Sequence, residues 1–133
     1  MVSRHDIAAG LKKLGLKEGS IVMVHSALSA IGKVDGGTDA LIDALIETAG
    51  KDGTVVMPAF MAPEGVFDPA KSPTGLGETP EAFRKRKGVL RSRHPSHSVC
   101  AYGKHAAFLV KDHEKAPTAY GKGTPYHRLC EKN

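Results

Sequence analysis

Apolar residues recur at helical spacing near the start of the chain, where Ile7, Leu11 and Leu14 share one face until Gly15 interrupts it. Ser3 stands three residues before Asp6, the spacing of a capping box, so the pattern predicts a first helix over residues 4–14. The period then changes. Ser20-Ile21-Val22-Met23-Val24-His25 is a continuous, β-branched run, which predicts a strand covered on both faces. Gly36-Gly37-Thr38-Asp39 opens a second helix that carries Leu41, Ile42, Leu45, Ile46 and Ala49 on one face and stops at Gly50. Thr54-Val55-Val56-Met57 follows as another apolar strand, halted at Pro58. Strand, amphipathic helix, strand is the order of a right-handed βαβ crossover, so the two strands are expected to lie parallel.

Residues 61–77 are rich in Pro and Gly and show no period, and an unstructured loop of that length is more often a site wall or lid than filler. Thr79-Pro80-Glu81 predicts a helix start, with Thr79 as a cap hydroxyl, and Gly88 closes that helix. Ser98-Val99-Cys100-Ala101-Tyr102 reads as a third strand, residues 105–110 as a short helix, and Thr124-Pro125 as the cap of a last helix through Leu129. Three strands are few for an α/β sheet, so the sequence is expected to be part of a longer fold. A sheet cut in that way would expose an edge and favour self-association, which makes a homo-oligomer an expectation.

Composition narrows the picture. A chain of 133 residues, 41% of them hydrophobic, is the size of one domain and sustains a core without staples. No apolar run approaches the roughly 20 residues that span a bilayer, and the N-terminus turns polar at once, so neither a membrane segment nor a secretory signal is expected and the address is cytoplasmic. Cys100 and Cys130 then read as separate, reduced thiols. The net charge of +5 is uneven: residues 82–111 hold eight basic side chains and no Asp or Glu. Such a face suits a phosphorylated ligand, while Arg84 to Lys87 read equally as the last turn of a helix. With aromatic residues at 5%, no Trp and no RNP, KH or zinc-finger spacing, nucleic acid is not the expected partner.

Two stretches concentrate chemistry. His25-Ser26-Ala27-Leu28-Ser29 lies at the carboxyl end of the first strand, where open α/β sheets bind ligands and small side chains admit a phosphate to backbone N–H groups. The plain structural alternative is a serine-capped turn into a helix. Arg91-Ser92-Arg93-His94-Pro95-Ser96-His97-Ser98 gathers hydroxyls, guanidinium groups and two imidazoles before the third strand. For His94 the alternative is a buried ring that anchors a backbone carbonyl. No metal is expected, because a closed zinc site wants four N or S ligands and no such spacing occurs. No G-x-S-x-G elbow supports a hydrolase. Gly121-Lys122-Gly123-Thr124-Pro125 resembles a phosphate loop but lacks its length, which favours a tight turn and a helix cap.

In order, Val24-His25-Ser26-Ala27-Leu28-Ser29, Gly36-Gly37, Val56-Met57-Pro58-Ala59-Phe60, Phe67-Asp68-Pro69, Gly88-Val89-Leu90-Arg91-Ser92, His94-Pro95-Ser96-His97-Ser98 and Gly121-Lys122-Gly123-Thr124-Pro125 resemble the aminoglycoside N3-acetyltransferase family. The resemblance covers residues 1–133 as a single domain matching the N-terminal, cofactor-side part of family members. It implies a three-layer αβα fold with a mainly parallel sheet and transfer of acetyl from acetyl-CoA to an amine of an aminoglycoside-like small molecule. A non-catalytic module that binds CoA or another phosphorylated ligand is the alternative. By the same resemblance Ser26, Leu28 and Ser29 line the pantetheine and pyrophosphate, and Ala27 stands where the family often has a second Ser. Arg91, Ser92, His97 and Ser98 are implied beside the cofactor. The loop from Pro58 to Asp68 is implied to face the acceptor, with Glu64 or Asp68 drawing a polycation. The family's general base lies in a motif downstream of the matched part, so no residue of this chain is expected to be the catalytic base.

Overall fold

The computed structural model describes residues 1–60 and 65–133. Four strands, β1 (Ile21–Met23), β2 (Thr54–Pro58), β3 (Leu90–Arg91) and β4 (Val99–Gly103), form a sheet in the order β1-β2-β4-β3. The helices are α1 (Arg4–Lys13), α2 (Leu28–Ile31), α3 (Gly37–Ala49), α4 (Glu78–Arg84), α5 (Ala106–Val110) and α6 (Pro125–Lys132), with a short 3₁₀ turn at His113–Lys115.

Strand alternation separates two cores. Val55 and Met57 of β2 and Cys100 of β4 face α1, α3 and α4, where they meet Ile7, Leu41, Leu45 and Phe83. Val56, Val99 and Ala101 point the other way, against Ala106 and Leu109 of α5 and Leu129 of α6. The result is the expected three-layer αβα arrangement, in which successive side chains of a strand serve opposite faces. The central strands therefore read as unbroken apolar runs.

Local chemistry explains the helix ends. Ser3 accepts the Asp6 N–H at 3.1 Å and the Asp6 carboxylate accepts the Ser3 N–H at 2.9 Å, the reciprocal capping box anticipated for α1. Thr124 caps α6 by accepting the His127 N–H and donating to the Gly121 carbonyl at 2.7 Å, so the Gly121–Pro125 stretch is a turn and a cap. Arg86 just beyond α4 reaches α3 at Asp43 (2.6 Å) and Asp39 (2.9 Å), and Arg84 pairs with Glu81 at 2.6 Å. Part of the basic stretch is thus consumed within the fold rather than solvated. Cys100 is buried and Cys130 exposed, and the two are free thiols. Burial pushes the Cys100 thiol up to about 12.

Three expectations change. The βαβ unit does pair β1 with β2 in parallel, but β4 runs antiparallel to both β2 and β3, so the sheet is mixed rather than mainly parallel. The cause is β3, a two-residue strand too short to carry a pattern; it turns through residues 92–98 and sends β4 back along it. β1 is covered on both faces only in part: Val22 packs against the first core and Ile21 and Met23 against the second, but all three stay half-buried because the strand is a sheet edge among the described residues. Finally, α4 begins at Glu78 with Gly77 as its cap, and the Thr79 hydroxyl caps nothing. Gly77 has φ of 106°, open to glycine and strained for other residues, so the chain enters the helix earlier than the Thr-Pro signal suggested. Gly103 closes β4 for a different reason: a Cβ there would lie 2.2 Å from the Gly53 carbonyl oxygen.

Candidate functional site

Ser26, Ala27, Leu28 and Ser29 follow β1 and turn into α2, at the carboxyl end of the strand. Ala27 is the cap of that helix and makes no side-chain cap, so the serine-capped reading of this turn does not hold. These four residues face Leu76, Gly77, Glu78 and Thr79 across a cavity of about 320 Å³. Two hydroxyls at this cavity, Ser26 Oγ and Thr79 Oγ1, are buried without a hydrogen-bond partner among the described residues. A buried hydroxyl left unpaired costs about 1–3 kcal/mol, and such groups concentrate where a ligand or ordered water completes them. Glu78 accepts from the Thr38 hydroxyl at 2.7 Å, which fixes this wall to the start of α3.

The second group of candidates is built differently. Ser92 and Ser98 are wholly buried. Ser92 Oγ accepts the Val99 N–H at 2.9 Å and lies 2.8 Å from His113 Nδ1, while Ser98 Oγ donates to the Ala59 carbonyl at 2.9 Å. Arg91 donates to the carbonyls of Ala59 and Ser72, and its guanidinium lies 5.0 Å from the centroid of the Phe67 ring. It fastens the loop before α4 to the end of β2. His97 stands in an aromatic group with Phe60 (5.6 Å between ring centroids) and Tyr120 (4.9 Å), and its carbonyl accepts the Tyr126 hydroxyl at 3.0 Å. No hydrogen bond among the described residues joins this group to Ser26–Ser29. Asp68 holds a turn: its Oδ1 accepts the Ala70 N–H at 2.9 Å and its backbone N–H donates to Ser72 Oγ at 2.8 Å. Glu64 lies outside the described residues.

The ring that anchors a backbone carbonyl is His113, not His94. His113 is fully buried, with Nε2 3.1 Å from the Ala119 carbonyl. A carbonyl only accepts, so Nε2 carries the proton and Nδ1 accepts from the Ser92 hydroxyl. His94 is half-buried; its Nδ1 accepts the His97 N–H at 3.2 Å and its ring lies 4.7 Å from that of His113. His113 does not stand out in the sequence, because its neighbours in space are far along the chain, whereas Leu76 and Gly77 end the loop expected to be a site wall. No group of three or more His, Cys, Asp or Glu suited to a metal ion occurs among the described residues.

Burial lowers the pKa of both His94 and His113 from the usual 6.5. Below pH 6.5 the unfolded chain therefore binds more protons than the folded one, and stability falls as pH falls until the lowered folded-state values are passed. Urea unfolding between pH 7.5 and about 5 is expected to show a declining midpoint, and a flat profile would count against neutral, buried rings.

Residues 23–133 match the family model described as aminoglycoside 3-N-acetyltransferase. The chain belongs to this family. Among curated relatives, the SPbeta prophage-derived aminoglycoside N(3')-acetyltransferase-like protein YokD of Bacillus subtilis is 38% identical over 91% of this chain and 53% of its own length. That match runs over 146 aligned positions, more than the 133 residues here, so YokD carries residues within the matched span that this acetyltransferase-family chain lacks. Among solved structures, AAC-IIIb in binary complex with CoASH is 35% identical with a TM-score of 0.89, over 98% of this chain and 56% of that one. AAC-VIa bound to sisomicin is 31% identical with a TM-score of 0.91, over the same shares. The chain thus spans about half the length of the curated relatives it matches. No helix of the described residues is long and apolar enough to cross a membrane.

Proposed function

We propose that this chain forms the cofactor-holding part of an acetyl-CoA-dependent N-acetyltransferase, working in the cytoplasm on an amine of an aminoglycoside-like acceptor. The observation that supports this most is the likeness, over 98% of the chain, to a relative solved with CoASH. The cavity beside Ser26–Ser29 fits one part of that molecule. Its two unpartnered hydroxyls suit a neutral, amide-bearing arm, and the Glu78 carboxylate on its wall would repel phosphate. Ser29, exposed at the mouth, offers the accessible hydroxyl, and Ala27 and Leu28 offer small and apolar surface. Arg91, Ser92 and Ser98 act behind the site: Arg91 and Ser98 hold Ala59 and the turn at Asp68 in place and Ser92 ties Val99 to His113, leaving His97 with Phe60 and Tyr120 at the surface of that group.

Acetyl-CoA, when bound, supplies the acetyl thioester. The acceptor amine has a lone pair only once deprotonated, which calls for a general base. His113 cannot serve, since it is buried and both ring nitrogens are engaged. This chain's own part is to orient the thioester arm and, through the charge of Asp68 and Glu64, to draw a polycationic acceptor.

Calorimetric titration with CoA tests the reading. Saturable binding is expected, weakened about fivefold to tenfold in Ser29→Ala, the effect of roughly one hydrogen bond. A folded chain that shows no binding would overturn the proposal.

A further inference from the structure

Buried threonine hydroxyls in this chain follow one habit. Thr38 donates to Glu78 at 2.7 Å, Thr48 returns its hydroxyl to the Ala44 carbonyl at 2.7 Å, Thr54 accepts the His105 N–H at 2.9 Å and Thr124 donates to the Gly121 carbonyl at 2.7 Å. The buried serines Ser72, Ser92 and Ser98 are engaged as well. Thr79 departs from the habit: it is 2% exposed, yet its Oγ1 has no partner among the described residues. Its place in α4 explains why the hydroxyl is free, because Gly77 takes the cap position two residues earlier. Ser26 Oγ is the other buried hydroxyl without a partner at the same cavity, and the two do not bond each other. A group lodged between the walls is what completes both.

Given the cofactor reading proposed above, on which this step depends, we infer that the Thr79 hydroxyl is a direct contact to CoA: with Ser26 Oγ on the facing wall it clamps one secondary amide of the thioester-bearing arm. Chemistry selects that group. A secondary amide carries one acceptor and one donor on opposite sides, and a hydroxyl can serve as either partner, so two hydroxyls on opposite walls satisfy it completely. A phosphate offers acceptors alone and brings negative charge toward Glu78, whereas a hydrocarbon leaves both hydroxyls unpaired. The contact also changes what positions the arm. It would be gripped by α4 as well as by the turn after β1, and the α4 wall is itself fastened to α3 through the Thr38 hydroxyl and Glu78. Thr79 thereby becomes a determinant of where the thioester lies.

The test is calorimetric titration of the chain and its variants with CoA and with pantetheine, the arm without its phosphates. Thr79→Val keeps the shape of the side chain and removes the hydroxyl; its affinity for both probes is expected to fall about fivefold to tenfold. Ser26→Ala should lose a similar factor from the facing wall, and Thr79→Ser, which keeps a hydroxyl, should stay within about twofold of the parent. The urea midpoint of Thr79→Val is expected to be no lower than the parent's, since a buried hydroxyl without a protein partner contributes no bond to lose. A parent chain that binds CoA, with a Thr79→Val variant that binds it equally well, would overturn the inference alone and leave the hydroxyl to an ordered water. A parent that binds CoA but not pantetheine would place recognition elsewhere and overturn it too. Failure of the folded parent to bind CoA would instead overturn the cofactor reading, and this contact with it.

Discussion

His113→Ala is expected to lower the unfolding free energy by about 4 kcal/mol, read as a fall in the urea midpoint at pH 7.5. Truncating a fully buried ring of this size removes its packing and leaves a cavity, a loss of about 3–5 kcal/mol for comparable aromatic side chains. It also breaks a chain of hydrogen bonds running from the Val99 N–H through the Ser92 hydroxyl and the imidazole to the Ala119 carbonyl. That relay joins β4 to the segment leading into α6, which sequence proximity alone would never bring together. The variant has a second signature. Because the native ring is neutral and its pKa is lowered by burial, His113→Ala should also flatten the loss of stability below pH 6.5. A variant of unchanged stability, or one with an unaltered pH profile, would contradict the neutral, relay-forming imidazole.

Arg91→Met is expected to cost about 3 kcal/mol and to make residues 67–76 the first site of proteolysis. The methionine keeps much of the apolar stem but loses the guanidinium, which holds the carbonyls of Ala59 and Ser72 and packs against Phe67. Hydrogen bonds from a charged donor contribute about 1.5–3 kcal/mol each in a partly buried setting. Desolvation already lowers the Arg91 pKa, as expected for a cation turned inward onto carbonyl dipoles rather than outward to an anion. Arg91→Lys should recover only part of the loss, since an ammonium cannot span two carbonyls with a planar fork. The outcome separates two roles. If Arg91→Met unfolds as readily as the parent chain yet loses CoA affinity, the guanidinium serves the ligand directly; if the loop loosens and stability falls, it serves the fold.

The two serine-rich stretches show how far linear reasoning reaches. Both were recognisable as candidates from residue type and from their positions at strand ends. Exposure divides them: Ser29 is open to solvent, whereas Ser92 and Ser98 are sealed inside with every hydroxyl engaged. No local pattern distinguishes an exposed serine from a buried one, because burial depends on which distant segment comes to lie over it. The same limit hid Thr79, which read as a cap and is instead an unpartnered hydroxyl across the cavity from Ser26.

The sequence by itself determined the helices with strong periodicity, the capping box at Ser3, the Thr124 cap, the parallel β1–β2 unit and, through an ordered series of short motifs, the family. Each of these follows from interactions within a few residues or from a repeated apolar face, and such information is local. Only the tertiary structure decided the antiparallel run of β4, the edge position of β1 among the described residues, the inward turn of the Arg91 guanidinium and the burial of His113. Strand direction here turns on a two-residue strand, and the edge position of β1 on its having β2 as its one strand neighbour among the described residues. The environments of Arg91 and His113 arise from contacts bridging up to 32 residues of chain, which no stretch of sequence encodes on its own.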